Sequence, residues 1–330
     1  MKDYKFVNEI LIRISICLMS SFIIIIWFYQ HSITNPFELE SDYLQYYNFY
    51  NSTNHNLDRF GSEFLTPLIY KVFNNLGVDF YQFVFLFGLA WLPIILKLST
   101  RIKTGYLIFY FMYFPIFFVE NYAFLFRTYL AFMFFSMFIL ATGKKRAVFV
   151  FLAIFSHMSA ILFIFFSWLK LKSKKLYVSL ALSATLIMIL NQIGYGFSRV
   201  LLFLLDYVGY LNYDLQRKLS LLVRIGQGNI DSSGVKIMIL LASTVLIHSL
   251  FINQDNKKFS FMRALFFSAI VALIFSDFKI LANRLGFLAY YFSIPYFLMV
   301  LSSISLNKYL TIKFNSSFSY NRKVGLKCLV

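Results

Sequence analysis

Apolar residues in this chain come in long unbroken runs, and polar positions gather between them. Most of these runs show neither strand-like alternation nor the stripe of an amphipathic surface helix. They are apolar on every face, as helices buried in a bilayer are. A helix needs about 20 such residues to cross the hydrocarbon. The pattern predicts eight full spans, near 10–29, 79–96, 105–121, 125–142, 176–193, 235–252, 259–276 and 285–305. The expected fold class is an all-α polytopic integral membrane protein. The first run follows Lys2 and Lys5 and contains Arg13. It is too long for a secretory signal and lacks an A-x-A cleavage site, so it reads as a retained anchor.

One stretch breaks the pattern. Between Lys144-Lys145-Arg146 and the basic run 170–175 lie 23 uncharged residues, enough for one crossing. A single crossing places one of the two basic clusters outside and inverts every later loop. The alternative is a re-entrant hairpin, 147–157 up and 158–169 back, turning near Ser156-His157-Met158-Ser159. Each arm of about 11 residues reaches roughly 16 Å, so His157 would lie in the outer half of the membrane. Irregular backbone at that depth must be buried in protein or face a wet cavity. The hairpin is the favoured reading.

Charge then orients the chain. Of 31 Lys and Arg, 21 fall in the N-terminus, 97–104, 143–146, 170–175, 253–263 and the tail 306–330. Those segments carry +18 of the net +17, and everything else carries −1. Such an excess marks cytoplasmic loops, so both termini are expected inside. The surplus is a topology signal, which removes nucleic acid as a partner. Residues 1–305 then form a single polytopic membrane domain with outer-face segments 30–78 and 194–234, followed by a basic cytoplasmic tail. The outer segments contain interfacial helix patterns at Phe64–Leu76 and Phe197–Ile225, the latter with Leu201, Leu204, Leu205 and Val208 on one face.

Composition agrees with a bilayer. The chain is 60% hydrophobic and 14% charged, where ordinary soluble chains run about 45–50% and about 25%. A soluble enzyme, a disordered chain and a disulfide scaffold are excluded. Cys17 and Cys328 are too far apart in the sequence to suggest a framework or a metal cluster. No P-loop, G-x-G-x-x-G, H-E-x-x-H or nucleophile elbow occurs, and four histidines without an acidic cluster in the spans give no metal site and no cofactor.

Ionisable residues in or beside hydrocarbon cost a few kcal/mol and usually mark function. Here they are Asp42, Glu63, Arg127, His157, Arg199, Arg217, Arg224 and Arg284, all near the outer side of the expected topology. Each carries a second reading. Arg127 and Arg284 could snorkel to headgroups, His157 could be a packed hydrogen-bonding residue, and Arg217 with Lys218 and Arg224 could be a solvated helix face. Asp42 could be one more loop carboxylate. Tyr43, Tyr46, Tyr47 and Tyr50, at near-helical spacing, suit an interfacial belt or a sugar-stacking surface. His248 has no evident partner in the sequence and reads as structural.

Taken in order, these residues resemble the EpsG family of polysaccharide polymerases, which overlaps the Wzy-type O-antigen and capsule polymerases of bacteria. The resemblance rests on Asp42-Tyr43 with Tyr46, on Glu63 opening an apolar stretch, and on Arg127 with Leu130-Ala131. It continues through Phe155-Ser156-His157-Met158-Ser159-Ala160, similar to the family's F-H-x-S-A pattern, to Arg284 before the last span. The chain departs from the family at Thr128, where Gln is frequent, and in the extra residue between Phe155 and His157. The resemblance implies a metal-independent membrane glycosyltransferase of the bacterial inner membrane. It would join undecaprenyl-diphosphate-linked oligosaccharide repeat units on the periplasmic face. Arg127, Arg284, Arg217 and Arg224 would hold the diphosphate, and His157, Asp42 or Glu63 would serve the acceptor hydroxyl, His157 first. Tyr43, Tyr46 and Tyr47 would line a sugar groove. Partners would be the lipid-linked oligosaccharides, membrane lipids, a chain-length regulator and a flippase. A flippase and an O-antigen-ligase-like transferase are the competing functions.

The hairpin makes a direct prediction. With Cys17 and Cys328 replaced by Ser, the K172C variant should react with an impermeant maleimide only after the membrane is opened. Labelling from outside intact cells removes the hairpin and the topology built on it.

Overall fold

Backbone polar groups in apolar surroundings must bond within their own segment, and helices do this without help from neighbours. The computed structural model describes residues 15, 18, 22, 41–52, 57, 61–100, 126–196, 203, 232–251, 260–278, 282, 284–301 and 304, and no strand occurs among them. In chain order the helices are α1 (Ser41–Tyr50), α2 (Leu65–Asn75), α3 (Phe80–Thr100), α4 (Phe126–Leu140) and α5 (Lys145–Ser156). They continue with α6 (Ala160–Trp168), α7 (Lys174–Gln192), α8 (Ser232–Phe251), α9 (Ser260–Ile274) and α10 (Phe287–Tyr291). Two of them, α7 and the Gly234–Phe251 part of α8, are long and apolar enough to cross a membrane. A third crossing results if α2 and the first half of α3 count as one broken span. The shorter apolar helices α4 and α9 lie where spans 125–142 and 259–276 are expected. Spans 105–121 and most of 10–29 fall outside the described residues, as does the expected Phe197–Ile225 helix but for Phe203.

The chain divides into two compact units, one of Met1–Lys103 with Leu107–Trp168, the other of Thr104–Tyr106 with Leu169–Val330. In the first, α4 is the centre. Twelve of its fifteen residues are buried, and α3, α5 and α6 all pack against it. Aromatic rings fill the space around α1 to α4: Tyr70 meets Tyr50, Phe83 and Phe126 at 5.1–5.3 Å, and Phe87 meets Phe126 at 4.7 Å. Fully buried Tyr50 keeps its hydroxyl satisfied by donating to the Val78 carbonyl at 2.7 Å. Burial, and secondarily the Asp79 carboxylate, pushes that hydroxyl up to about 12, so it stays a donor.

Helix α2 ends at Gly77, whose φ of 74° is open only to glycine at little cost. Gly77 and Val78 then donate back to the carbonyls of Asn74 and Phe73, closing a helix end of the Schellman type. The chain bends by 119° from α2 into α3. The face of α2 that carries Leu65, Thr66, Pro67 and Tyr70 is buried, while Leu68, Val72 and Leu76 are exposed. This is the amphipathic helix expected over Phe64–Leu76.

The stretch 147–169 reverses. Arg146, at the start of α5, lies over the Phe138 ring at 4.5 Å, and Trp168, at the end of α6, meets the same ring at 6.4 Å. The tip between them, at Met158, reaches Glu63, which holds Arg127 eleven residues before Phe138. Those eleven residues rise roughly 16 Å along α4. The chain therefore goes up one side of α4 and returns, as expected of a hairpin and not of one straight crossing.

In the second unit α7, α8 and α9 pack on one another, and α10 packs on α8 and α9. His248, expected to be structural, is fully buried, and its Nδ1 lies 2.7 Å from the Tyr296 hydroxyl. The pair is 48 residues apart, too far for sequence spacing to reveal. The expected span 285–305 is interrupted, with α10 ending at Tyr291 and helix resuming over 293–301. Pro295 accounts for the break, because it has no N–H to give the Tyr291 carbonyl and suits the first turn of a new helix. Gly286 sets the approach of this region to α9. A Cβ there would lie 2.5 Å from the Ala272 Cβ and 2.6 Å from the Ala282 carbonyl oxygen. The Gly286→Ala variant should accordingly lose about 1–3 kcal/mol from overpacking, seen as a lower apparent Tm in detergent. An unchanged Tm would mean that the helices separate freely.

Candidate functional site

Four residues from four segments of the chain meet in the first unit. Glu63 lies two residues before α2, in a segment that turns at Gly61, and is only 7% exposed. Its Oε2 accepts from Arg127 Nη1 at 2.7 Å. Its Oε1 accepts from the Met158 backbone N–H at 2.9 Å. The carboxylate is thus held by a side chain of α4 and by the tip of the hairpin. Arg127 also donates through Nε to the Tyr46 hydroxyl oxygen at 3.2 Å, which ties α1 into the same group. A charge-assisted bond this short, with both partners mostly withdrawn from water, is stronger than an exposed ion pair.

The hairpin tip is shaped by a local break. Ser156 turns its hydroxyl back to the Leu152 carbonyl at 2.7 Å, and His157 leaves the helix in an extended conformation (φ −162°, ψ 133°). That step points the Met158 N–H away from α5 and toward Glu63. Ser159 N–H then donates to His157 Nδ1 at 3.0 Å, and α6 starts at Ala160. His157 Nδ1 lies 3.8 Å from Glu63 Oε1. The Phe64 ring packs on Phe155 at 4.9 Å and fixes the hairpin beside α2. The side chains of Arg127 and His157 are 27% and 26% exposed, so a ligand can reach both.

Arg127, Glu63, His157 and Tyr46 are thus together. Asp42 and Tyr43 belong to the same helix as Tyr46, four and three residues ahead of it. Tyr47 packs at the start of α3, 5.4 Å from Phe80 and 6.1 Å from Tyr81. Arg284 is exposed and belongs to the second unit. Arg199, Arg217 and Arg224 lie outside the described residues. Among the described residues no group of three His, Cys, Asp or Glu could hold a metal ion.

Reading side chains missed the backbone donors of Met158 and Ser159. The available signal was the F-S-H-M-S-A turn itself, because a helix that breaks must give its freed N–H groups to something. Tyr46, expected as a sugar contact, accepts a hydrogen bond from Arg127 Nε.

A helical membrane protein with a buried carboxylate clamping an accessible guanidinium at the tip of a short hairpin is the class that fold and site define. The chain belongs to the EpsG family, whose model matches residues 8–318, nearly the whole length. No curated protein and no solved structure matches it. Membership indicates a membrane protein of the polysaccharide-polymerase kind.

The clamp predicts strong coupling between its two charges. In a double-mutant cycle with E63Q and R127Q, the interaction energy should exceed about 1 kcal/mol, measured by unfolding in detergent. Additive effects would mean that the two charges are held separately.

Proposed function

We propose that this protein joins lipid-linked oligosaccharide repeat units into a polysaccharide on the outer face of the bacterial cytoplasmic membrane. In this reading the chain has eight spans plus the α5–α6 hairpin, with both termini inside and the site at the outer side. The growing chain leaves its undecaprenyl diphosphate and passes to a hydroxyl of the incoming unit. The observation that carries the proposal is the Arg127–Glu63 bond at the hairpin tip.

The chemistry follows from that geometry. Loss of a diphosphate builds negative charge on its oxygens, and a guanidinium stabilises that charge through paired N–H donors. Glu63 occupies one edge of Arg127 and Tyr46 receives Nε, which fixes the plane of the fork before substrate arrives. A preset fork loses little freedom on binding, which is how orientation lowers a barrier. Glu63, already holding Arg127 and the Met158 N–H, suits an orienting role better than that of a base. Asp42, close to Tyr46 in α1, remains a candidate to receive the acceptor hydroxyl. Arg284, Arg217 and Arg224 are proposed as further diphosphate contacts, and Tyr43 and Tyr47 as sugar contacts. A chain-length regulator and a flippase are the proposed partners in the membrane.

Deleting the gene should leave single repeat units on the carrier or its acceptor and no long polysaccharide. Restoring R127A or R127K should not bring back long chains, with transfer at least about 100-fold down and the protein still in the membrane. Loss of all surface units on deletion would indicate a flippase, and normal chain lengths with R127A would remove Arg127 from the site.

A further inference from the structure

We propose that the Tyr46 hydroxyl donates a hydrogen bond to the departing diphosphate, as a further catalytic donor set beside Arg127. This rests on the polymerase reading and deepens it. A guanidinium has N–H donors and no lone pair to offer. In the 3.2 Å contact between Arg127 Nε and the Tyr46 oxygen, the tyrosine is therefore the acceptor. Its own hydrogen stays outside that bond, and among the described residues the hydroxyl donates to nothing else. A hydroxyl hydrogen turns about its C–O bond to suit its surroundings. Tyr46 is half-buried and the Arg127 side chain beside it is partly exposed, so a ligand at the guanidinium can take that hydrogen.

The other tyrosines of α1 are placed differently. Tyr50, one turn further on, is fully buried and donates to the Val78 carbonyl at 2.7 Å. Tyr47 packs its ring on Phe80 and Tyr81. Both serve the aromatic core, whereas the hydroxyl of Tyr46 meets an ionic group 81 residues away in the sequence.

Two properties of that contact suit a phosphate. A cation that donates into an oxygen draws electron density from its O–H, and linked hydrogen bonds strengthen one another in this way. The Tyr46 hydroxyl is thus a stronger donor than an isolated phenol. Arg127 Nε also carries a single hydrogen, which is given to Tyr46, and the hydroxyl presents a hydrogen in its place. The guanidinium attracts the anion, and the phenol adds a directed donor at its edge.

In the transfer, the acceptor oxygen bonds to the anomeric carbon, and the bond from that carbon to the diphosphate oxygen breaks. The electron pair stays on the diphosphate, where negative charge grows and a preset donor acts most strongly. The acceptor's proton passes to the carboxylate that receives that hydroxyl. Tyr46 keeps its own.

The test separates donating from accepting. Phenylalanine removes both. O-methyltyrosine keeps an oxygen for Arg127 Nε and has no hydrogen to give. Para-aminophenylalanine keeps N–H donors at the same place and is a weaker acceptor. Wild type, Y46F and the two amber-suppressed variants of Tyr46 are placed in vesicles containing lipid-linked units from a deletion strain. The rate of joining is normalised to inserted protein. Expected are rates at least about 100-fold down for Y46F and the O-methyltyrosine variant, and within about tenfold of wild type for the para-aminophenylalanine variant. An O-methyltyrosine variant as active as wild type would reduce Tyr46 to a support for Arg127. A para-aminophenylalanine variant as inactive as Y46F would remove donation from its role, and a wild-type rate in Y46F would remove Tyr46 from the reaction. Each of these overturns the proposal. A wild-type protein that joins no units defeats the polymerase reading itself and this inference with it.

Discussion

A guanidinium among apolar helices persists only where a carboxylate and hydrogen bonds replace its water, and Glu63 supplies both for Arg127. The desolvation of each group is large, and their mutual attraction offsets it only with good geometry and no lone pair or N–H neglected. Here the 2.7 Å bond, the Met158 N–H on the second carboxylate oxygen and the Tyr46 oxygen on Nε supply that geometry. The first unit depends on this arrangement. Bonds from one acid reach α4 and the hairpin directly, and α1 through Arg127.

The hairpin is the second half of the same constraint. Its tip has no regular helix to absorb its N–H groups, so they must find acceptors in an apolar setting. Met158 gives its N–H to Glu63 and Ser159 gives its own to His157. Backbone satisfaction and site construction are therefore one event. The Ser156 hydroxyl bonded to the Leu152 carbonyl ends α5 at the place where those two N–H groups are needed.

Much of the fold was legible because length and apolarity alone place membrane helices. The runs at 176–193 and 235–252 became α7 and α8 within a few residues, and the two basic clusters framed the hairpin correctly. The interfacial pattern of Phe64–Leu76 also emerged, since its exposed and buried faces follow helical spacing. The partners were not legible. Helices apolar on every side carry no stripe to say which face packs inward, so the enclosure of α4 could not be read from its residues. Arg127 and Glu63 were each recognisable as out of place, but their bond spans 64 positions and no local rule joins them. The same holds for His248 with Tyr296, where a buried contact stood behind an apparently isolated histidine.

The sequence distance between Glu63 and Arg127 also bears on how the protein is made. Arg127 follows Glu63 by 64 residues, which at typical synthesis speeds is a delay of roughly 3–13 s. The Met158 N–H comes 95 residues after Glu63 and later still. Throughout that interval the carboxylate has neither of these two partners. A segment in that state belongs at the watery boundary of the translocon, and only the arrival of α4 removes the penalty for moving it inward. The clamp is thus also a clock for assembly, because α2 settles against the hairpin only after the chain that completes it has been synthesised.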